Sequence, residues 1–88
     1  MKKDVDINYV TTLEESDMKF ATGQDVRKFR QKKDLSISRM IIELGKLPAQ
    51  LVEGKKENYN FSYNHYHEVE VGKRKVTPRL VRGLQRLK

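Results

Sequence analysis

The 88-residue chain is predicted to be mainly α-helical, a small bundle of about four helices with an irregular segment or hairpin at 46–60. Two stretches, at 37–44 and 80–87, repeat apolar residues every three or four positions, which is typical of helices with one buried face. Residues that commonly cap helices precede both stretches. The chain has no cysteine, which excludes disulfides and thiolate-bound metals.

Residues 1–21 are predicted to form an acidic N-terminal arm ahead of a domain at 22–88. The arm has a net charge of −2 and the rest of the chain +9. Partial alternation over 5–10 is compatible with a short strand. Thr12, followed three positions later by Glu15, is instead compatible with a helical turn within 12–20. These interpretations, and that of a loosely ordered arm, stay open.

The first helix is predicted to begin after Thr22, whose hydroxyl can accept a backbone N–H of the first turn. Asp25 adds negative charge at the N-terminus, where the helix dipole favours it. Val26 and Phe29 form the buried stripe, and Asp34 is expected to end the helix.

The second helix is predicted to begin after Ser36 as N-cap and to end at Gly45 as a left-handed C-cap. Its apolar face repeats with helical period over Ile37, Met40, Ile41 and Leu44. The link between the first two helices is only two or three residues, so the two should pack at a steep angle.

Residues 46–60 break the helical pattern with Pro48, Gly54 and a polar run at 54–58. The stretch 49–52 is compatible with a short helix or with one arm of a hairpin. Lys55 and Lys56 belong either to a projecting wing or to a soluble loop tip, and the sequence leaves both open.

The pattern at 61–71 supports two structures. Aromatic, histidine and valine residues alternate with polar ones, which favours a strand. A helix with Ser62 as N-cap would instead bury Tyr66 and Val69.

The last helix is predicted from Thr77 as N-cap and Pro78 at the first helical position. Its apolar face comprises Leu80, Val81, Leu84 and Leu87. Ahead of it, Gly72 begins a turn that carries three consecutive cations at 73–75.

Two blocks of the chain carry a family resemblance. The first runs from Gly23 to Gly45, with Leu-Ser at 35–36 and Leu-Gly at 44–45. The second runs from Phe61 to Pro78, with Ser62, Val-Glu at 69–70 and Gly-Lys-Arg at 72–74. Both resemble helix-turn-helix repressor domains of the Xre/Cro/CI type, with 46–60 inserted between the second and the recognition helix. This resemblance favours a helix over 62–70.

The resemblance implies a regulator that reads the major groove of double-stranded DNA with the helix starting near Ser62. The expected base-contacting residues are Tyr63, Asn64, His65, His67 and Glu68. An Asn can bond an adenine edge, and a His can donate to guanine. The expected phosphate-contacting residues are Ser36, Ser38, Arg39, Ser62, Lys73, Arg74 and Lys75.

The function class follows from charge and from missing motifs. A domain carrying +9 attracts polyanions, and nucleic acid is the first candidate. The sequence lacks a phosphate-binding glycine loop, a nucleophile elbow and a paired metal-ligand motif, so we expect no enzyme, cofactor, metal or small-molecule substrate. No apolar run approaches a membrane span.

We therefore expect a cytoplasmic homodimer that represses transcription of a phage, plasmid or other mobile element. The alternative is a protein-interaction module on the same scaffold, such as a phage-type inhibitor or antirepressor. Its contact surfaces would be the acidic arm and the insertion.

Overall fold

A computed structural model describes residues 20–88, and the predictions for residues 1–19 lie outside this range. The described part contains four helices and one two-stranded antiparallel sheet, which confirms the mainly helical class. The elements in chain order are α1 (Gly23–Lys32), α2 (Ile37–Gly45), β1 (Gln50–Val52), β2 (Lys55–Glu57), α3 (Tyr63–Glu70) and α4 (Pro78–Arg86).

Helix α1 begins with a reciprocal capping box. The Thr22 hydroxyl accepts from the Asp25 amide, and the Asp25 carboxylate accepts from the Ala21 and Thr22 amides at 3.0 Å each. Hydrogen bonds from the backbone amide of Thr22 lower the pKa of Asp25, with burial opposing the shift. Asp34 adopts φ 60°, a left-handed conformation that prevents the helix from continuing. Both predicted boundaries of this helix are confirmed.

Residues 63–70 form a helix, so the strand interpretation of the alternating pattern is wrong. Ser62 is the N-cap, and its hydroxyl accepts from the His65 amide at 3.1 Å. The helical period places Tyr66 and Val69 in the core, both with no exposed surface. Helix α3 packs against both α1 and α2.

The core is shared by all four helices and by the segment that precedes α3. Its most buried side chains are Val26, Met40, Leu44, Tyr59, Tyr66, Val69, Leu80 and Leu84. The predicted apolar faces of α2 and α4 supply four of them, and their other members pack partly buried against the cluster. Thr77 caps α4 with Pro78 in the first turn, as predicted.

The predicted left-handed C-cap at Gly45 is wrong. Gly45 is the last residue of α2, and the cap is Lys46 with φ −79°. The Lys46 amide bonds the carbonyls of Ile42 and Glu43, so the helix ends in a tight right-handed turn. A Cβ atom at Gly45 would lie 3.2 Å from the Asn60 side chain, which shows that the segment before α3 crosses close to this position.

The insertion is a β-hairpin. Strands β1 and β2 pair Gln50 with Glu57 and Val52 with Lys55 across a two-residue turn. Glu53 and Gly54 in this turn have φ values of 52° and 80°. Positive φ at both central residues is typical of the turn type that best matches the twist of paired strands. The short-helix interpretation of 49–52 is therefore wrong.

A polar network fixes the hairpin to α4. The Arg82 guanidinium donates to both carboxylate oxygens of Glu57, at 2.8 and 2.6 Å. The Tyr59 hydroxyl donates to Glu57 at 2.9 Å and accepts from Gln50 at 2.5 Å. The Arg82 hydrogen bonds lower the pKa of Glu57 to about 2, so this carboxylate stays ionised throughout the neutral range.

Candidate nucleic-acid interface

Helix α3 presents a polar side to solvent. Asn64 and His67 are exposed, and Tyr63 keeps 50% of its surface accessible. The rings of Tyr63 and His67 lie one helical turn apart and stack with centroids 6.1 Å apart at an interplanar angle of 16°. The structure therefore places three of the five predicted base-contacting side chains together on one accessible surface.

Helix α3 is held in place by a buried ion pair between its Glu70 and Arg30 of α1. Arg30 donates to both oxygens of Glu70, at 2.7 and 3.0 Å, and its remaining nitrogen donates to the Leu35 carbonyl at 2.8 Å. The two side chains are only 14% and 3% exposed. The hydrogen bonds to Glu70 raise the pKa of Arg30. This contact fixes the rotation of α3 and thereby the direction of its polar side.

His65, one of the predicted base-contacting residues, does not lie on the exposed side of α3. Its ring is partly buried and packs edge-on against Phe61, with centroids 5.6 Å apart. Its Nε2 atom is buried and has no hydrogen-bond partner among the described residues. Burial lowers its pKa, and the nearby cations Arg74 and Arg79 act in the same direction. Position 65 points toward Phe61 because α3 begins directly after that buried ring.

Glu68 and Arg74 were predicted to contact a base and a phosphate, but they bind each other. Two nitrogens of Arg74 donate to one Glu68 oxygen, at 3.1 and 2.7 Å. The side chains are 49% and 39% exposed, so the pair is worth no more than about 1 kcal/mol. A phosphate group could therefore replace Glu68 as the partner of Arg74 at small cost.

The turn after α3 places cations beside the start of α1. Gly72 has φ 87°, and Lys73 and Lys75 that follow it are exposed. A surface groove separates this turn from the first residues of α1. Its lining comprises Ala21, Thr22, Gly23, Gly72, Arg74, Lys75 and Val76.

The N-terminal turn of α2 carries three further predicted phosphate contacts, and Ser62 is the exposed N-cap of α3. Ser36, Ser38 and Arg39 are all exposed. The Ser36 hydroxyl accepts from the Arg39 amide at 3.1 Å, so Ser36 is the predicted N-cap. The Arg39 guanidinium pairs with Glu43 at 2.8 Å on the same helix. These bonds stay within α2 and do not join this group to the turn at 72–75.

Sequence reasoning missed two ion pairs, the one that orients α3 and the one that fixes the hairpin to α4. Arg30 lies four residues after Val26 and Glu70 four residues after Tyr66, so both charges fall within buried helical stripes. A charged residue within a buried stripe needs a partner, and this spacing was the available signal. The pair of Glu57 with Arg82 left no such signal, because it depends on where the hairpin docks.

Comparison with protein-family models, curated proteins and solved structures finds no match to this chain. Within residues 20–88, none of the helices has the length and apolar character needed to cross a bilayer. The same residues contain no group of three His, Asp or Glu side chains able to hold a metal ion.

Proposed function

We propose that this protein is a sequence-specific regulator that binds double-stranded DNA and reads the major groove with α3. The observation that carries the proposal is the accessible group of Tyr63, Asn64 and His67 on a helix that a buried ion pair holds against α1. A helix fits the major groove, where base edges differ in their donors and acceptors. Base reading requires such a rigid helix with exposed polar side chains.

The charge distribution supports a polyanionic partner. Residues 22–88 contain 16 Lys and Arg against seven Asp and Glu. Four of these carboxylates are held in ion pairs, namely Glu43, Glu57, Glu68 and Glu70. The positive field that remains would attract DNA before any specific contact forms.

The exposed side chains of the candidate interface have separate roles in the proposed complex. Asn64 bonds an adenine edge, and His67 donates to a guanine acceptor. Tyr63 contacts a phosphate or a thymine methyl group. Lys73 and Lys75 hold the backbone beside α3, together with Ser36, Ser38, Ser62 and, once released from their carboxylates, Arg39 and Arg74.

We further propose a homodimer that acts in the cytoplasm as a repressor of a mobile element, without catalysis or a cofactor. A single module of this size buries little DNA surface, and a two-fold dimer on a palindrome doubles the contact. The dimer surface would come from the N-terminal arm or from α4.

Exchanging Asn64 or Lys73 for alanine separates base reading from phosphate binding. Asn64→Ala is expected to weaken binding to the preferred duplex by about 1–3 kcal/mol and to leave random duplex unchanged. Lys73→Ala is expected to weaken both alike and to make the salt dependence shallower by about one phosphate contact. Titrations of both duplexes at several salt concentrations measure this. Equal losses on both duplexes for both variants would contradict the proposal.

The alternative is a protein-interaction module, and the exposed apolar side chains favour it. Leu51 on the hairpin is 72% exposed and Ile42 on α2 is 48% exposed. A protein complex that survives 1 M salt without DNA, from a chain that fails to bind any duplex, would favour this alternative over DNA binding.

A further inference from the structure

The hairpin carries two exposed lysines that the proposed reading by α3 does not use. Lys55 and Lys56 on β2 are both exposed. Gln50 and Glu57 face α4, because they contact Tyr59 and Arg82. Side chains of adjacent residues in a strand point to opposite faces, so Lys56 lies with its partner Leu51 on the face turned away from α4 and Lys55 lies on the other face. Both lysines nevertheless line the same groove beside β2.

This hairpin is held rigidly at both of its ends. Arg86 of α4 donates to the Pro48 carbonyl at 2.7 Å, just before β1. Arg79 donates to the carbonyl and the side chain of Asn58 at 3.0 and 3.1 Å, just after β2. With the Glu57–Arg82 pair between them, three arginines of one helix fix the insertion. Its lysines are therefore presented at a defined position, which reduces the entropy lost on binding.

The hairpin lies at the leading end of α3. Arg79 also covers the Phe61 ring at 4.2 Å, next to the N-cap Ser62. Ser62 lies five positions after Glu57, a span of at most about 18 Å. The major groove is about 12 Å wide. When the end of α3 lies inside the groove, a hairpin within this distance can reach the phosphates at the groove edge.

The charge at this surface is positive after pairing. Glu57 is neutralised by Arg82, and the Arg79 guanidinium is bonded only to uncharged oxygens in the described contacts. Val52, Lys55, Lys56, Glu57, Asn58 and Arg79 line one shallow groove. Lys55, Lys56 and Arg79 carry three positive charges, and Glu53 at the turn carries one negative charge. The net charge of this surface is therefore +2.

We propose that the hairpin is a second phosphate-binding element, in which Lys55 and Lys56 hold the DNA strand at the edge of the major groove that α3 enters. This inference rests on the proposed function and adds to it a sequence-independent contact. It also gives the insertion between α2 and α3 a function, because a protruding rigid ribbon extends the bound surface beyond the helix itself.

The test compares two double variants with the same loss of charge. Lys55→Ala/Lys56→Ala removes the hairpin lysines. Lys32→Ala/Lys33→Ala is the control, because Lys33 borders Leu87 at the opposite end of α4 from Arg79. All four side chains are exposed, and the Lys33 ammonium over the Phe29 ring at 5.3 Å is a weak surface contact, so circular dichroism and thermal unfolding should stay close to the wild type.

The hairpin variant is expected to bind preferred and random duplexes at least about tenfold more weakly at 0.1 M salt, with a salt slope shallower by about two. Hydroxyl-radical footprints should lose protection on one strand beside the groove, and the control should keep it. If both double variants bind duplex as tightly as the wild type, this inference is overturned and the role of α3 stays intact. A wild-type chain that binds no duplex would overturn both.

Discussion

Replacing Glu70 with alanine is expected to lower the free energy of unfolding by about 3–5 kcal/mol. The change leaves the Arg30 guanidinium buried without its carboxylate, and burying an unpaired charge is costly. A domain of this size has a total stability on the order of 5–10 kcal/mol, so the variant should lie close to unfolding at room temperature. Urea denaturation followed by circular dichroism measures the loss.

Glu68→Ala is the matched control for this prediction. Glu68 lies on the same helix and also pairs with an arginine, but that pair is exposed. Its loss should cost no more than about 1 kcal/mol. The double variant Arg30→Met/Glu70→Leu should recover much of the stability, because no buried charge is left unpaired. A cost for Glu70→Ala as small as that of Glu68→Ala would contradict the buried pair.

Gly23→Ala is expected to destabilise the domain by about 3 kcal/mol through overpacking. A Cβ atom at this position would lie 1.9 Å from the Val69 carbonyl oxygen and 2.9 Å from that of Glu70. Both atoms belong to the backbone of α3, so relief requires the start of α1 to move away from α3. The thermal unfolding temperature and the DNA affinity should therefore fall together.

Gly45→Ala provides the comparison, because it also places alanine at a helical glycine. The nearest atom to its Cβ is the flexible Asn60 side chain at 3.2 Å, which can move aside. Alanine is a better helix former than glycine by about 1 kcal/mol, so this variant should be neutral or slightly more stable. If Gly23→Ala unfolds at the same temperature as Gly45→Ala, α1 and α3 are not in close contact.

Local chemistry made the helix boundaries predictable from the sequence. Thr22, Ser36, Ser62 and Thr77 each accept a backbone amide of the following turn, and such caps depend only on neighbouring residues. The apolar faces of α2 and α4 were equally readable, because a helical period of hydrophobic residues requires a buried side.

Contacts between distant residues were not predictable in this way. The local sequence did not decide between a short helix and one arm of a hairpin at 49–52. The hairpin is held by Glu57 and Arg82, which lie 25 residues apart along the chain. The left-handed cap predicted at Gly45 was wrong because α2 ends in a right-handed turn at Lys46.

Part of the proposed interface was predicted and part was not. Tyr63, Asn64 and His67 lie on the accessible side of α3, as a helix beginning after Ser62 requires. His65 turned toward Phe61, because the register of α3 is set by its buried partners. The resemblance to helix-turn-helix repressors and the DNA-binding role stay predictions.

Selection of bound duplexes from a random pool, at low and at high salt, tests most directly whether α3 reads DNA. The wild type should enrich a palindromic consensus at both salt concentrations, and Asn64→Ala should lose the preference at one position in each half-site. A pool that stays random with the wild type, or an identical consensus with Asn64→Ala, would contradict the assignment of α3 as the reading helix.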